Sequence, residues 1–155
     1  MTDFHDLLSP GAVVAQLAAS AKKSLFQQIG TIAASAYGLD AVTVTAALAA
    51  REKLGSTGFG GGVATPHGRI EGLSQVVGVF AKLAQPIDFK AVDDMPVDLV
   101  FALLSPPDAG AVHLKALALV SRALRDRGFV AKLRGSASPD ALYAIFNSGE
   151  ARDAA

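Results

Sequence analysis

The chain has 155 residues with 14 basic and 14 acidic side chains and a pI near 6.8, a balance that argues against a dedicated nucleic-acid binder, which would carry a basic patch. Hydrophobic residues make up 51% and charged ones 18%, which excludes wholesale disorder; the length suits one domain burying about two thirds of its unfolded surface. Cysteine is absent, and with it disulfides, cysteine zinc sites, iron–sulfur clusters and thiol catalysis.

A mean hydropathy of +0.38 raises the question of a membrane span. The longest charge-free stretch, Ser24 to Leu39, has only 16 positions and is interrupted by Gln27 and Gln28, whereas a spanning helix needs about 20 mostly apolar residues. Met1 to Asp6 lacks the basic start of a signal peptide. The expectation is a single cytoplasmic domain over residues 1–155, not membrane-embedded, with an ordered core over about 5–147.

Residues 1–11 read as a loosely held lead-in and Gly149–Ala155 as a frayed tail. Ala12 to Leu17 fits a short strand or the start of a helix, with strand favoured. Ser20 is the expected cap of a helix over about 21–37, where Leu25, Ile29, Ile32 and Ala36 make an apolar stripe and Gly38 ends it. Asp40 caps a second helix to about Leu54, with Gly55 just past its end. From Gly55 to Gly62 the run GSTGFGGG holds five of the chain's 15 glycines, a density expected to form a shaped loop and no regular element. Val63 to Thr65 fits a short strand, Thr65 being pushed toward extended backbone by Pro66.

Val76–Leu83 and Val97–Leu104 are strand-like, the second apolar on both faces as in a strand covered on two sides. Pro106, Pro107 and Asp108 lead into a helix over about 109–127, followed by a short piece over Val130–Arg134. Ser138-Pro139-Asp140 opens the last helix with a serine cap and proline in the first turn. The predicted fold class is α/β, a small sheet in a sandwich with helices on both faces.

His67 stands in Pro66-His67-Gly68, directly after the glycine run. Its flanking residues fix the backbone and leave the imidazole uncrowded, and a neutral imidazole nitrogen is a nucleophile able to accept a phosphoryl group. Ser56, Thr57, Gly58 and Gly60 offer hydroxyls and backbone N–H groups suited to phosphate oxygens. A plain surface histidine in a turn fits the position as well. His113, in register with Leu117, Val120 and Leu124, faces the core side of its helix. Spacing alone favours a core histidine bonded to backbone; the functional alternative is an N–H that steadies a phosphoryl group near a helix N-terminus. Arg51 shares an apolar helix face with Val44 and Leu48, which suits either phosphate binding or an ordinary ion pair. Glu52 reads as solvated and His5 as a surface residue.

Better-known motifs fail. From Gly58 the sixth position of a GxGxxG is Val63, and Gly61 stands where a P-loop needs lysine. There is no GxSxG and no HExxH, so no metal site, cofactor or nucleotide is expected.

The run Arg51-Glu52-Lys53-Leu54-Gly55-Ser56-Thr57-Gly58-Phe59-Gly60-Gly61-Gly62-Val63-Ala64-Thr65-Pro66-His67-Gly68 resembles the signature of the enzyme IIA family of the bacterial phosphotransferase system. The similarity is to its fructose/mannitol branch, and more closely to the stand-alone nitrogen-regulatory member. It continues through Pro86-Ile87-Asp88-Phe89, through Pro96 to Leu104, and through His113-Leu114, covering nearly all of residues 5–147. Thr65, where many members have isoleucine or valine, and Gly61, often asparagine, depart from the pattern without removing a reacting group.

The resemblance implies a mixed β-sheet flanked by helices on both faces, and that His67 accepts a phosphoryl group at Nε2 from a phosphohistidine on a small carrier protein. It places the supporting histidine on His113 and the phosphate-neighbouring arginine on Arg51, and suggests potassium transport and sensor kinase components as regulated targets. Phe59 is the expected apolar contact for a docking protein. The alternatives are a sugar-specific enzyme IIA that relays phosphate to a fructose or mannitol permease, and a binding module that has lost phosphorylation. The missing downstream linker and missing cysteine favour the regulator, and the presence of both histidines argues against the binding module.

Overall fold

A computed structural model describes residues 3–148. The elements in chain order are α1 (Phe4–Leu7), β1 (Leu8–Leu17), α2 (Lys22–Tyr37), α3 (Ala41–Glu52), β2 (Gly58–Gly60), β3 (Val63–Ala64), β4 (His67–Arg69), β5 (Val77–Ile87), β6 (Val97–Ser105), α4 (Ala111–Arg125), α5 (Arg127–Arg134) and α6 (Pro139–Phe146). The strands form one mixed sheet in the order β1-β5-β6-β3-β2, with β4 beside β6 on the same side as β3. β1 runs parallel to β5, β5 antiparallel to β6, and both β3 and β4 parallel to β6.

Side chains alternate across a strand, so β6 sends Phe101, Leu103 and Ser105 to one face and Val100, Ala102 and Leu104 to the other. On the first face Phe4, Phe80, Phe101, Phe129 and Phe146 pack ring to ring at centroid distances of 4.8–6.3 Å, each pair adding about 0.5–1.5 kcal/mol beyond area burial. On the second face lie α2 and α3, which touch each other through Thr45, whose hydroxyl donates to the Phe26 carbonyl at 3.3 Å. Helices therefore cover both faces of the sheet, as the sequence pattern predicts, and the sheet is mixed, as the family resemblance implies.

Several boundaries differ from expectation, each for a local reason. The lead-in is not loose: an Asp3–Asp6 capping box starts α1, Phe4 and Leu7 are buried, and β1 begins at Leu8. Gly149–Ala155 lies outside the described residues. The cap of α2 is not Ser20; Ser24 Oγ accepts from the N–H groups of Ser20 and Ala21, both at 3.3 Å, and the helix begins at Lys22. The helix capped by Asp40 stops at Glu52, two residues short of Leu54. β5 continues to Ile87 because Pro86, which lacks an N–H, falls where the register with β6 lapses between Lys82 and Ile87. The helix expected over 109–127 is interrupted by Asp126, whose carboxylate caps α5 by accepting from Phe129 N–H at 2.9 Å. The last helix opens on Ser138 as read, its hydroxyl accepting from Ala141 N–H at 3.1 Å.

The glycine run also holds a regular element. Gly58–Gly60 pairs antiparallel with Val63–Ala64, and Gly61 and Gly62 form the connecting turn at φ +69° and +81°. Positive φ at both central residues is what a two-residue hairpin demands, and glycine meets it without strain. Gly61 N–H donates to Asp93 at 3.0 Å and its carbonyl accepts from Arg134 at 2.7 Å, so the turn is tied to two distant segments.

Gly78 of β5 packs against the aromatic face so closely that a Cβ would stand 2.5 Å from Phe101 Cε1. Phe101 is fully buried among the other rings and has no room to give. Gly78→Ala is expected to destabilise the fold by about 1–3 kcal/mol in urea unfolding, the usual cost of overpacking.

Candidate functional site

His67 is the first residue of β4, an edge segment whose register places it opposite Leu103. Its neighbour Gly68 faces the α3 layer, where a Cβ would lie 3.0 Å from Ala47 Cβ. By alternation His67 and Arg69 face the opposite layer, toward α4. The Pro66 carbonyl accepts from Leu103 N–H at 2.9 Å and fixes the approach to the strand.

Two fixed partners determine which ring nitrogen is free. His67 Nδ1 lies 3.0 Å from the Thr65 carbonyl, which only accepts, so Nδ1 carries the hydrogen. Arg51 Nε, which only donates, lies 3.2 Å from His67 Nε2, so that nitrogen presents its lone pair. Arg51 is steered there from the last turn of α3 by a second bond, Nη1 to the Gly55 carbonyl at 2.9 Å. The His113 ring lies 5.4 Å from that of His67, centroid to centroid, inclined by 54°. His113 is buried, as its register predicts, and its Nδ1 stands 2.5 Å from Ser105 Oγ at the end of β6. The recess around these groups is lined by Ala47, Ala50, Arg51, Leu54, His67, Gly68, Arg69 and His113.

Burial pushes the His67 pKa below the ordinary imidazole value, and the positive charges of Arg51 and Arg69 push it further. The bond to Thr65 and the carboxylate of Glu52 act in the opposite direction without reversing it. His113 is lowered first by burial and then by His67 and Arg69. Both shifts favour the neutral rings. Arg69 was not singled out from the sequence, although a residue two positions after His67 on a strand must share its face. Its Nη1 is held by the Pro107 carbonyl at 3.1 Å.

The expected phosphate-binding role of Ser56, Thr57, Gly58 and Gly60 finds no support in this arrangement. The Ser56 hydroxyl donates to the Phe89 carbonyl at 3.1 Å and accepts from Gly58 N–H at 3.1 Å. Thr57 gives both its N–H, at 3.1 Å, and its hydroxyl, at 2.6 Å, to Glu52. Gly60 lies in the hairpin beside Asp93. None of the four lines the recess around His67. Glu52 is accordingly not a solvated residue: it also pairs with Lys22 at 2.9 Å, and its side chain is only 6% exposed. His5 is exposed, as expected. Among the described residues, no group of three or more His, Asp or Glu side chains could hold a metal ion, and no helix is long and apolar enough to cross a membrane.

The family described as "Phosphoenolpyruvate-dependent sugar phosphotransferase system, EIIA 2" matches residues 6–149. The chain belongs to this family. It is 46% identical over 140 residues to a nitrogen regulatory protein of Bradyrhizobium diazoefficiens, covering 90% of this chain and 92% of that one. A nitrogen regulatory protein of Pseudomonas aeruginosa is 40% identical over 147 residues, covering 94% and 95%. Among solved structures, nitrogen regulatory protein IIA-Ntr from Neisseria meningitidis superposes with a TM-score of 0.85 at 35% identity, over 91% of this chain and 97% of that one. The IIA mannitol protein of Escherichia coli shares the fold, with a TM-score of 0.74 at 20% identity, over 89% and 97%.

EIIA proteins belong to a system that passes phosphoryl groups between proteins, and such a site has to be reachable by another protein. Around the recess of this EIIA chain, Leu54 is 83% exposed, and Val112 and Leu114, on either side of His113, are 49% and 65% exposed. Phe59 does not take this place. Its ring lies 5.0 Å beneath the Arg125 guanidinium in a separate groove with Arg127 and Arg134.

Two outcomes are expected. Glu52→Ala strips three polar partners and should cost about 2–3 kcal/mol in urea unfolding, the range for bonds to a charged group. His67 and His113 are depressed in the folded state, so below an unfolded pKa of about 6.5 the unfolded chain binds more protons. Stability from these two groups is complete above that pH and declines as pH falls toward their folded values. Unfolding midpoints measured from pH 7.5 downward should show this decline, and His67→Gln should reduce its slope.

Proposed function

We propose that this protein is a phosphocarrier of the nitrogen-regulatory branch of the phosphotransferase system, phosphorylated on Nε2 of His67 by a phosphohistidine on a small carrier protein. The observation that carries this reading is the state of His67. Its Nε2 presents an unprotonated lone pair at the recess, with the Nδ1 hydrogen held by Thr65 and the Arg51 N–H donating to that nitrogen.

The transfer follows from those contacts. The Nε2 lone pair of His67 attacks the phosphorus as the donor's N–P bond breaks, and the donor nitrogen keeps the electron pair. The new bond places positive charge on the His67 ring, which the Nδ1–H bond to the Thr65 carbonyl stabilises. The Arg51 N–H leaves the nitrogen and turns to a phosphoryl oxygen, and His113 and the Arg69 charge face the same group. Positioning and electrostatics do the catalytic work, as they do wherever the transferring group is metaphosphate-like. The exposed Leu54, Val112 and Leu114 supply an apolar rim on which a carrier can dock.

The regulatory assignment is preferred to a sugar relay because relatives with the regulatory name align over nine tenths of both chains. A fructose-specific EIIA component of Haloferax volcanii is similar over only 78 residues, half of each chain. In this role the phosphorylation state is read by target proteins, for which potassium transport and sensor kinase components are the proposed classes.

Intact-protein mass spectrometry after incubation with phosphoenolpyruvate and the two general phosphotransferase proteins should show one acid-labile phosphate on the wild type and none on His67→Ala. His113→Ala should still be labelled, with transfer slowed or phosphohistidine lifetime shortened on the order of tenfold, the effect of losing one donor to a charged group. A labelled His67→Ala protein would overturn the assignment, and a wild type that stays unlabelled beside an active donor would leave a binding module.

A further inference from the structure

Ser105 closes β6 and is fully buried; its hydroxyl meets His113 Nδ1 at 2.5 Å. Among the described residues this is the hydroxyl's one hydrogen bond, which fixes its direction. If Nδ1 carried the hydrogen and donated, the hydroxyl hydrogen would be buried without an acceptor, a cost of about 1–3 kcal/mol. If the hydroxyl donates, Nδ1 accepts, the hydroxyl hydrogen is satisfied, and the neutral ring carries its hydrogen on Nε2.

The placement of Ser105 is also fixed. It stands opposite Arg69 in the β4–β6 register, its carbonyl accepts from Ile70 N–H at 2.8 Å, and it points to the same face as His67 and Arg69. α4 brings His113 over this face, so the hydroxyl anchors one edge of the His113 ring at the rear of the recess.

We propose that Ser105 is a positioning residue for phosphoryl transfer: it holds His113 with the hydrogen on Nε2, so that the nitrogen opposite Ser105 is a donor toward the group carried by His67. This rests on the phosphocarrier reading above and names a residue that reading does not use. A hydroxyl suits the task better than a carboxylate or an amide side chain. When incoming negative charge draws a proton onto His113, Nδ1–H donates to the same oxygen, the hydroxyl gives up its own donor bond as part of the cost of that charged state, and Nε2 remains a donor. In both protonation states the phosphoryl group meets an N–H. Without the hydroxyl, neutral His113 is free to carry its hydrogen on Nδ1 and turn a lone pair toward the phosphoryl oxygens.

The test uses the full chain with side-chain 15N-labelled histidine, as wild type, Ser105→Ala and Ser105→Thr. Long-range 1H–15N spectra of the unphosphorylated protein report the tautomer of His113 directly and need no donor. Wild type and Ser105→Thr are expected to show hydrogen on Nε2, and Ser105→Ala a mixture. After phosphorylation, the Ser105→Ala phosphohistidine is expected to decay roughly tenfold faster than wild type, the loss of one charge-assisted donor, with Ser105→Thr near wild type. A wild-type His113 with its hydrogen on Nδ1, or an unchanged tautomer in Ser105→Ala, overturns the proposal. A shifted tautomer with an unchanged lifetime overturns its functional half. Failure of the wild type to be phosphorylated would defeat the phosphocarrier reading, while the spectra would still judge the Ser105–His113 bond.

Discussion

The pair of contacts that fixes the His67 ring is the constraint on which the rest of this structure depends. A carbonyl on one nitrogen and a guanidinium on the other permit only one neutral tautomer, and that tautomer exposes the nucleophilic lone pair. Each contact needs its own piece of the fold. Thr65 and His67 stand two residues apart across Pro66, on a segment pinned to β6 through the Leu103 N–H. Arg51 comes from the end of α3, and α3 approaches β4 only because position 68 has no Cβ to meet Ala47. A side chain at that position would press on Ala47 and so on the helix that carries Arg51.

The glycine-rich run supports this geometry indirectly. Glu52, next to Arg51, gathers Lys22, the Thr57 N–H and the Thr57 hydroxyl. A carboxylate so little exposed is costly to bury unless its oxygens are satisfied, and here they are. The bonds tie the end of α3 to α2 and to the start of the loop, so the two consecutive residues Arg51 and Glu52 divide the work. One reaches the His67 ring, and the other holds the backbone from which it reaches. Glycine at 61 and 62 then turns the chain into β3, which delivers Thr65 to its place below His67.

Much of this was legible in the residues. The two long central strands, the Asp40 and Ser138 caps and the inward register of His113 all follow from local patterns that tertiary packing did not overrule. The misses share a cause, because each depends on a partner distant in sequence. Phe4 looks like part of a loose terminus until Phe101 and Phe146 stand beside it. Glu52 looks solvated until Lys22 and Thr57 converge on it. The donors of Ser56 and Thr57 look available for phosphate until Phe89 and Glu52 take them. Ser105 gave no signal at all, being one polar residue at the end of an apolar run, and its importance is visible only once α4 is laid across the sheet.

The charge balance of the site bears on what the proposed carrier role, as opposed to that of a terminal acceptor, requires. A phosphoryl group must be held well enough to survive until a partner arrives and loosely enough to be handed on. Two guanidiniums stand near His67, but Arg51 is partly committed to Gly55 and Arg69 to the Pro107 carbonyl, so neither is a free clamp. In the proposed phosphocarrier, the burial that lowers the His113 pKa favours a neutral ring that donates a hydrogen bond and adds no third full charge. A permanent cation at that position would deepen the well around the phosphoryl group and slow its departure. A titratable ring, drawn toward protonation only while the negative charge is present, strengthens its hold with the charge and relaxes when the charge leaves.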